Sequence, residues 1–249
     1  WFPLLWTDGS IGAISTADLS VGELKAFYSG SNEKTAYVER EKNVQTGSNG
    51  FVFAPSKTAS GNAILYINPH TTFYFRPEVQ VSSEEGLNAY GAVTWGQFFI
   101  YQGFNENCGW MHTSSNVDVA DMYAEKIVLK KNKVFYEYDK KLIPIIEKEI
   151  TIKYLESGKL VPKTFKTYFT NNGPVMAKRD GKWISLKSNN RSMNSLIQSW
   201  VRTKSNDFND YKKAMDLKAN TSNNTVYADK EGNIAYWHGN YIPIRDKNF

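Results

Sequence analysis

Few side chains in this sequence belong to the usual nucleophilic, basic or metal-binding sets. There are three histidines, His70, His112 and His238, and a single cysteine, Cys108. The histidines lie far apart and form no H-E-x-x-H pair, so a histidine-based metal site would need help from carboxylates. One cysteine makes neither an internal disulfide nor a multi-cysteine metal site, and Cys108 reads as a small buried apolar side chain. No G-x-S-x-G, P-loop or G-x-G-x-x-G occurs. That leaves a Ser-His-Asp arrangement only if distant segments assemble it. An enzyme built from this chain is therefore expected to activate its nucleophile by another route.

The composition is that of a folded protein. Of 249 residues, 41% are hydrophobic and 22% charged, which argues against disorder and allows a sizeable core. Aromatics reach 14%, a level that suits a sheet-rich protein or an aromatic-lined cleft. The net charge of +5 is spread without a dense basic block, so no nucleic-acid partner is expected. No apolar run is long enough to span a bilayer, so no membrane span is expected. The opening Trp1-Phe2-Pro3-Leu4-Leu5-Trp6 has no basic region or cleavage-type site of a signal peptide, and the chain reads as part of a longer one.

The elements that must position any site follow from periodicity. Leu19, Val21, Leu24 and Phe27 recur at helical spacing behind Ser15-Thr16-Ala17-Asp18. Residues 29–49 are polar and read as a loop or linker. Strand-like runs follow at 51–54, 63–67, 89–95, 98–101 and 123–129, and residues 130–187 alternate as half-exposed antiparallel strands do. Helical spacing returns at 193–201 and 208–217, before a hairpin-like section over 225–244 that turns at Lys230-Glu231-Gly232-Asn233. The pattern predicts an α+β fold with a large antiparallel component.

Several short runs then carry a resemblance. They are Thr46-Gly47-Ser48-Asn49-Gly50-Phe51, Ile67-Asn68-Pro69-His70, Leu87-Asn88-Ala89-Tyr90-Gly91 and the stretch Gly103-Phe104-Asn105-Glu106-Asn107-Cys108-Gly109-Trp110-Met111-His112-Thr113-Ser114-Ser115. Asn172-Gly173-Pro174-Val175, Asn224-Thr225-Val226-Tyr227-Ala228-Asp229, Gly232-Asn233-Ile234 and Pro243-Ile244-Arg245 follow in order. Together, over residues 46–245, they resemble penicillin-acylase-type N-terminal nucleophile hydrolases, nearest in pattern to the acyl-homoserine lactone and aculeacin acylase branch. The resemblance implies a partial αββα sandwich. It also implies that residues 1–47 are the tail of an α segment and linker, and residues 48–249 the first part of the catalytic β chain.

In such enzymes the chain cuts itself before the nucleophile, and the freed α-amino group becomes the base. Its reference pKa of ~7.7–8.0 leaves a useful neutral fraction at neutral pH. By the resemblance Gly47-Ser48 is the cleavage site and Ser48 the nucleophile, while the main-chain N–H of Ser114 and the amide of Asn224 form the oxyanion hole. The neighbouring Asn223 leaves a one-residue ambiguity, which spacing to Tyr227-Ala228-Asp229 resolves toward Asn224. His70 falls where related branches carry a histidine that tunes the base, and Arg245 matches an arginine near the site. His112 is expected to support the Thr113-Ser114 turn, and His238 has no assigned role. Asp118, Ala120 and Asp121 fall where family members hold a structural Ca²⁺, here expected as a partial site.

The implied reaction is hydrolysis of a carboxamide in a small N-acyl compound with a hydrophobic acyl chain, through an acyl-serine intermediate. A β-lactam acylase and a non-catalytic ligand-binding homologue are the alternatives. Phe73-Tyr74-Phe75 and Trp95 read as core in preference to pocket. No organic cofactor is implied. The implied partner is the remainder of the protein's own α and β chains, and the implied location is periplasmic or secreted.

Overall fold

The computed structural model describes residue 19 and residues 21–30, 47–70, 77–94, 97–115, 117–188, 192–219, 223–239 and 241–247. Phe73-Tyr74-Phe75 and Trp95 lie outside the described residues. Helix α1 (Val21–Ser29) comes first, then strands β1 (Gly47–Phe53), β2 (Ile64–His70), β3 (Glu78–Ser82), β4 (Asn88–Ala92), β5 (Gln102–Asn105), β6 (Cys108–Ser114) and β7 (Ala120–Glu125). A run of antiparallel strands follows: β8 (Ile127–Lys130), β9 (Lys133–Tyr138), β10 (Lys141–Pro144), β11 (Ile146–Glu156), β12 (Lys159–Thr170), β13 (Gly173–Arg179) and β14 (Lys182–Ser188). Helices α2 (Met193–Thr203) and α3 (Phe208–Met215) precede β15 (Asn223–Asp229) and β16 (Ile234–Trp237).

The alternating stretch over 130–187 folds back on itself through two-residue turns in the left-handed region. Lys131-Asn132, Asp139-Lys140, Ser157-Gly158 and Asp180-Gly181 all have φ between 48° and 80°. Two successive positive φ values make the turn twist match the strands, which is why Asn, Asp and Gly recur there. Each turn closes a pair in register, as in Glu156↔Lys159 and Arg179↔Lys182.

A six-stranded sheet, β16-β15-β6-β5-β4-β3, carries the centre of the molecule. Trp110, Cys108 and Tyr227 on one of its faces form a core with Leu87, Ala89 and Ile100 and with Tyr211 and Met215 of α3. The opposite face, bearing Gly109 and Met111, lies under the β1–β2 hairpin: a Cβ on Gly109 would meet Leu65, and one on Gly50 would overlap the Met111 side chain. A second sheet, β11-β12-β13-β14-β7, carries α1 over its β13–β14 part, where Leu24 of α1 and Leu19 just ahead of it pack on Met176, Ala177 and Ile184 and Glu23 grips Arg179 at 2.7 and 3.0 Å. The architecture is the expected α+β one.

Several element boundaries differ from the sequence reading. Strand β1 already begins at Gly47, inside the stretch 29–49 read as a loop, because residues 47–50 pair with 67–70 of β2. Residues 98–101 are bends rather than a strand. Their carbonyls are taken by side chains: Thr203 donates to Ile100 O, and both Trp110 Nε1 and Arg202 donate to Tyr101 O. The run 123–129 divides at Lys126, because pairing switches from β14 to β9. The final hairpin ends at Trp237, short of 244.

Gly50 sets how closely the hairpin lies on the sheet. Substitution of Gly50 by Val should lower the unfolding midpoint by several degrees, since the new side chain must displace Met111 from a well-packed site. A thermal melt within about a degree of wild type would show that the hairpin is not seated as described.

Candidate functional site

Strand periodicity decides which side chains meet. Even-numbered residues of β1 point at the sheet, because the position of a Gly50 Cβ is filled by Met111; Ser48 shares that face and is half-buried. Met111 and Thr113 share a face of β6, and Asn224, paired opposite Thr113, projects from the same side, donating from Nδ2 to Thr113 Oγ1 at 2.9 Å. The Ser48 hydroxyl and the Asn224 carboxamide therefore face each other's layers across the hairpin–sheet gap. Asn223 points the other way, with Thr225 and Tyr227, toward the helices.

The Ser48 hydroxyl is turned back onto the carbonyl oxygen of Gly47, the peptide its own attack would cleave. It also accepts the main-chain N–H of His70 at 3.4 Å. Asn224 is fully engaged: Nδ2 donates to Thr113 Oγ1 and to Ser114 O at 3.2 Å, and Oδ1 accepts the N–H of Gly239 at 2.8 Å. An oxyanion arriving here would have to take over one of those two amide hydrogens. Thr113 was not singled out by the sequence reading, although the alternation Trp110-Met111-His112-Thr113 is the signal that puts it beside Asn224.

His70 reaches Ser48 through its main chain, not its ring. Paired with Gly47, it lies on the outward face of the hairpin, where the ring bonds Asn68 Oδ1 at 3.0 Å and Asn49 Nδ2 at 3.2 Å. His112 sits mid-strand on the helix side, its Nδ1 2.9 Å from Thr225 Oγ1, rather than in a turn. His238 is 3.4 Å from the Tyr236 hydroxyl. Burial in the core pushes the Cys108 thiol up to about 12, and it donates to Ser205 O, which suits a packing role and no nucleophile.

Arg245 sits on the carboxylates that the resemblance implies as calcium ligands. Its Nε lies 2.7 Å from Asp121 Oδ1, and its Nη2 lies 3.0 Å from the Asp118 carbonyl and 3.2 Å from Asp118 Oδ1. The hydrogen bond to Asp121 holds the guanidinium above its ordinary range. One cation already sits on this pair and offsets one of its two negative charges, and the described residues contain no group of three or more His, Cys, Asp or Glu side chains placed to hold a metal. As arranged, Asp118, Ala120 and Asp121 do not fit a divalent ion that takes six to eight oxygens.

Other motif residues act in packing. Asn105 Oδ1 accepts the N–H groups of Asn107 and Cys108, while its Nδ2 donates to Thr203 O and Ser205 O, fastening the end of α2 to β5. Asn172 donates to the buried Glu125 carboxylate, which Thr170 and Ser185 also satisfy. Asp229 accepts the N–H groups of Glu231 and Asn233 and so shapes the β15–β16 turn.

A family model described as penicillin amidase matches residues 7–249. The chain is similar to acyl-homoserine lactone acylase PvdQ of Pseudomonas fluorescens strain Pf0-1, 22% identical over 260 aligned positions that cover 96% of this chain and 33% of that protein. It is similar to acyl-homoserine lactone acylase QuiP of Pseudomonas fluorescens strain Pf-5, 25% identical over 52% of this chain and 15% of that protein. Among solved structures, a thermostable penicillin G acylase from Alcaligenes faecalis superimposes with a TM-score of 0.63 at 19% identity, covering 82% of this chain and 37% of the other. The chain thus spans a third or less of the two acyl-homoserine lactone acylases it matches. Because the family model runs from residue 7 to residue 249, the chain belongs to the penicillin amidase family.

Proposed function

We propose that the chain holds the reacting centre of an amidohydrolase that cleaves small N-acyl compounds, with Ser48 as an N-terminal nucleophile. The observation that carries this reading is the Ser48 hydroxyl folded onto the Gly47 carbonyl, facing the sheet layer from which Asn224 projects. The mechanism has two stages. Attack of Ser48 Oγ on the Gly47 carbonyl carbon shifts the acyl group from nitrogen to oxygen, and water releases the ester. The freed α-amino group then takes the Ser48 proton as the hydroxyl attacks a substrate amide and returns it to the leaving amine; water, deprotonated by the same amine, next attacks the acyl-Ser48 ester, releasing the carboxylic acid and restoring the Ser48 hydroxyl.

In this reading Asn224 Nδ2 and the Ser114 N–H stabilise the oxyanion. The main-chain N–H of His70 holds Ser48 Oγ, and its ring buttresses the outer face through Asn49 and Asn68. The names of the two acyl-homoserine lactone acylases support an N-acyl substrate, and a hydrophobic acyl chain is part of the same proposal. The domain division at 47/48 and an exported location belong to the same proposal. The remainder of the polypeptide is the proposed partner, covering the outward face of the hairpin, where Phe51, Phe53, Ile64 and Tyr66 stand exposed. No helix among the described residues is long and apolar enough to cross a membrane.

The deciding experiment is the N-terminal sequence and intact mass of the purified full-length protein. A new chain beginning Ser48-Asn49-Gly50 is expected. A fully active protein with the Gly47–Ser48 bond intact would refute the mechanism.

A further inference from the structure

The segment after β16 is tied to the β6–β7 connection at two points. Near its start, Gly239, whose N–H is held by Asn224 Oδ1 of β15 at 2.8 Å, lies so close to the connection that a Cβ there would press on Val117 at 3.1 Å. Near its end, Arg245 meets three oxygens of residues 118 and 121, at 2.7, 3.0 and 3.2 Å. Val119, between those acidic residues, is buried. The connection that leaves Ser114 is thus clasped between two contacts from one strand of chain. The Arg245 and Asp121 side chains are only 27% and 26% exposed, so this pair is better shielded than an ordinary surface bridge.

We infer that Arg245 takes the structural part a divalent cation would otherwise play at Asp118 and Asp121, so that this clasp holds without calcium. The charges support this. A guanidinium satisfies both carboxylates and a carbonyl through directed N–H donors, and its fixed positive charge repels an incoming divalent ion from the same oxygens. Removing the guanidinium leaves two uncompensated carboxylates beside carbonyl oxygens, the hard donor set that calcium takes. The inference is independent of the role proposed for Ser48, and its readouts are metal binding and stability.

The experiment compares calcium stoichiometry, by equilibrium dialysis with the full polypeptide, for wild type, Asp121→Asn and Arg245→Gln. Wild type and Asp121→Asn should bind the same number of ions, and Arg245→Gln one more. In chelator, wild type should melt no lower than in millimolar calcium when compared with Asp121→Asn under the same change. Arg245→Gln should melt about 2–4 °C below wild type in chelator and recover on adding calcium. If Asp121→Asn binds one ion fewer than wild type, the carboxylates hold calcium in the native protein and the inference fails. If Arg245→Gln folds but binds no additional ion, the guanidinium does not stand in for one, and the inference fails equally. Should Arg245→Gln not fold, the comparison of wild type with Asp121→Asn still decides.

Discussion

Ser48→Ala should stay uncut at Gly47–Ser48 and hydrolyse no N-acyl amide above background. In the proposed mechanism both reactions use the same oxygen, first against the Gly47 carbonyl on which it already rests and then against the substrate. Loss of a hydrolase nucleophile elsewhere lowers kcat on the order of 10⁶-fold. The fold should survive, because the hydroxyl is half-buried and its deletion removes the bond to Gly47 O and a long one from His70 N. A change of roughly 0.5–1.5 kcal/mol is the scale for such a bond. Ser48→Cys should cleave yet hydrolyse poorly, its nucleophile differing in size and basicity. Intact mass and turnover of the alanine variant are the measurements, and cleavage with wild-type turnover would remove Ser48 from the mechanism.

Asn224→Ala should lose roughly 10²–10³ in kcat with a modest change in KM, because an oxyanion donor acts mostly in the transition state. The same substitution should also lower the unfolding midpoint. Asn224 satisfies the Gly239 N–H and donates to Ser114 O, and the orphaned buried groups cost about 1–3 kcal/mol. Rates must therefore be compared well below both midpoints. Asn223→Ala is the control. Its side chain faces the helices, and its Oδ1 is buried with no partner among the described residues, so removal should leave turnover within a few-fold and stability unchanged or slightly raised. A critical Asn223 with a dispensable Asn224 would shift the assignment by one residue. If neither matters to the rate, the non-catalytic reading of the fold gains ground.

The sequence by itself determined the family and the α+β class, because ordered short motifs and a two-residue period survive without any knowledge of contacts. It also placed α1, α2 and α3 and the turn before Asn233, where local spacing and turn chemistry suffice. Only the tertiary structure decided which side chains share a face. In sequence only the spacing to Tyr227-Ala228-Asp229 favours Asn224 over its neighbour Asn223, and the pairing of Asn224 with Thr113, from a strand over a hundred residues away, puts the two side chains on opposite faces. The ring of His70 lies outside the hairpin because it pairs with Gly47, three residues from the Gly50 contact that sets the inner face, and an odd step along a strand reverses the face. Asn105 and Asn172 carry family motifs yet serve packing, since their amides satisfy a helix end and a buried carboxylate brought near by folding. Arg245 and the pair Asp118 and Asp121 were separate candidates in the sequence, one for the reacting site and one for calcium. The fold closes them on one another, because opposite charges carried by distant segments find their partner only when the chain returns past β7.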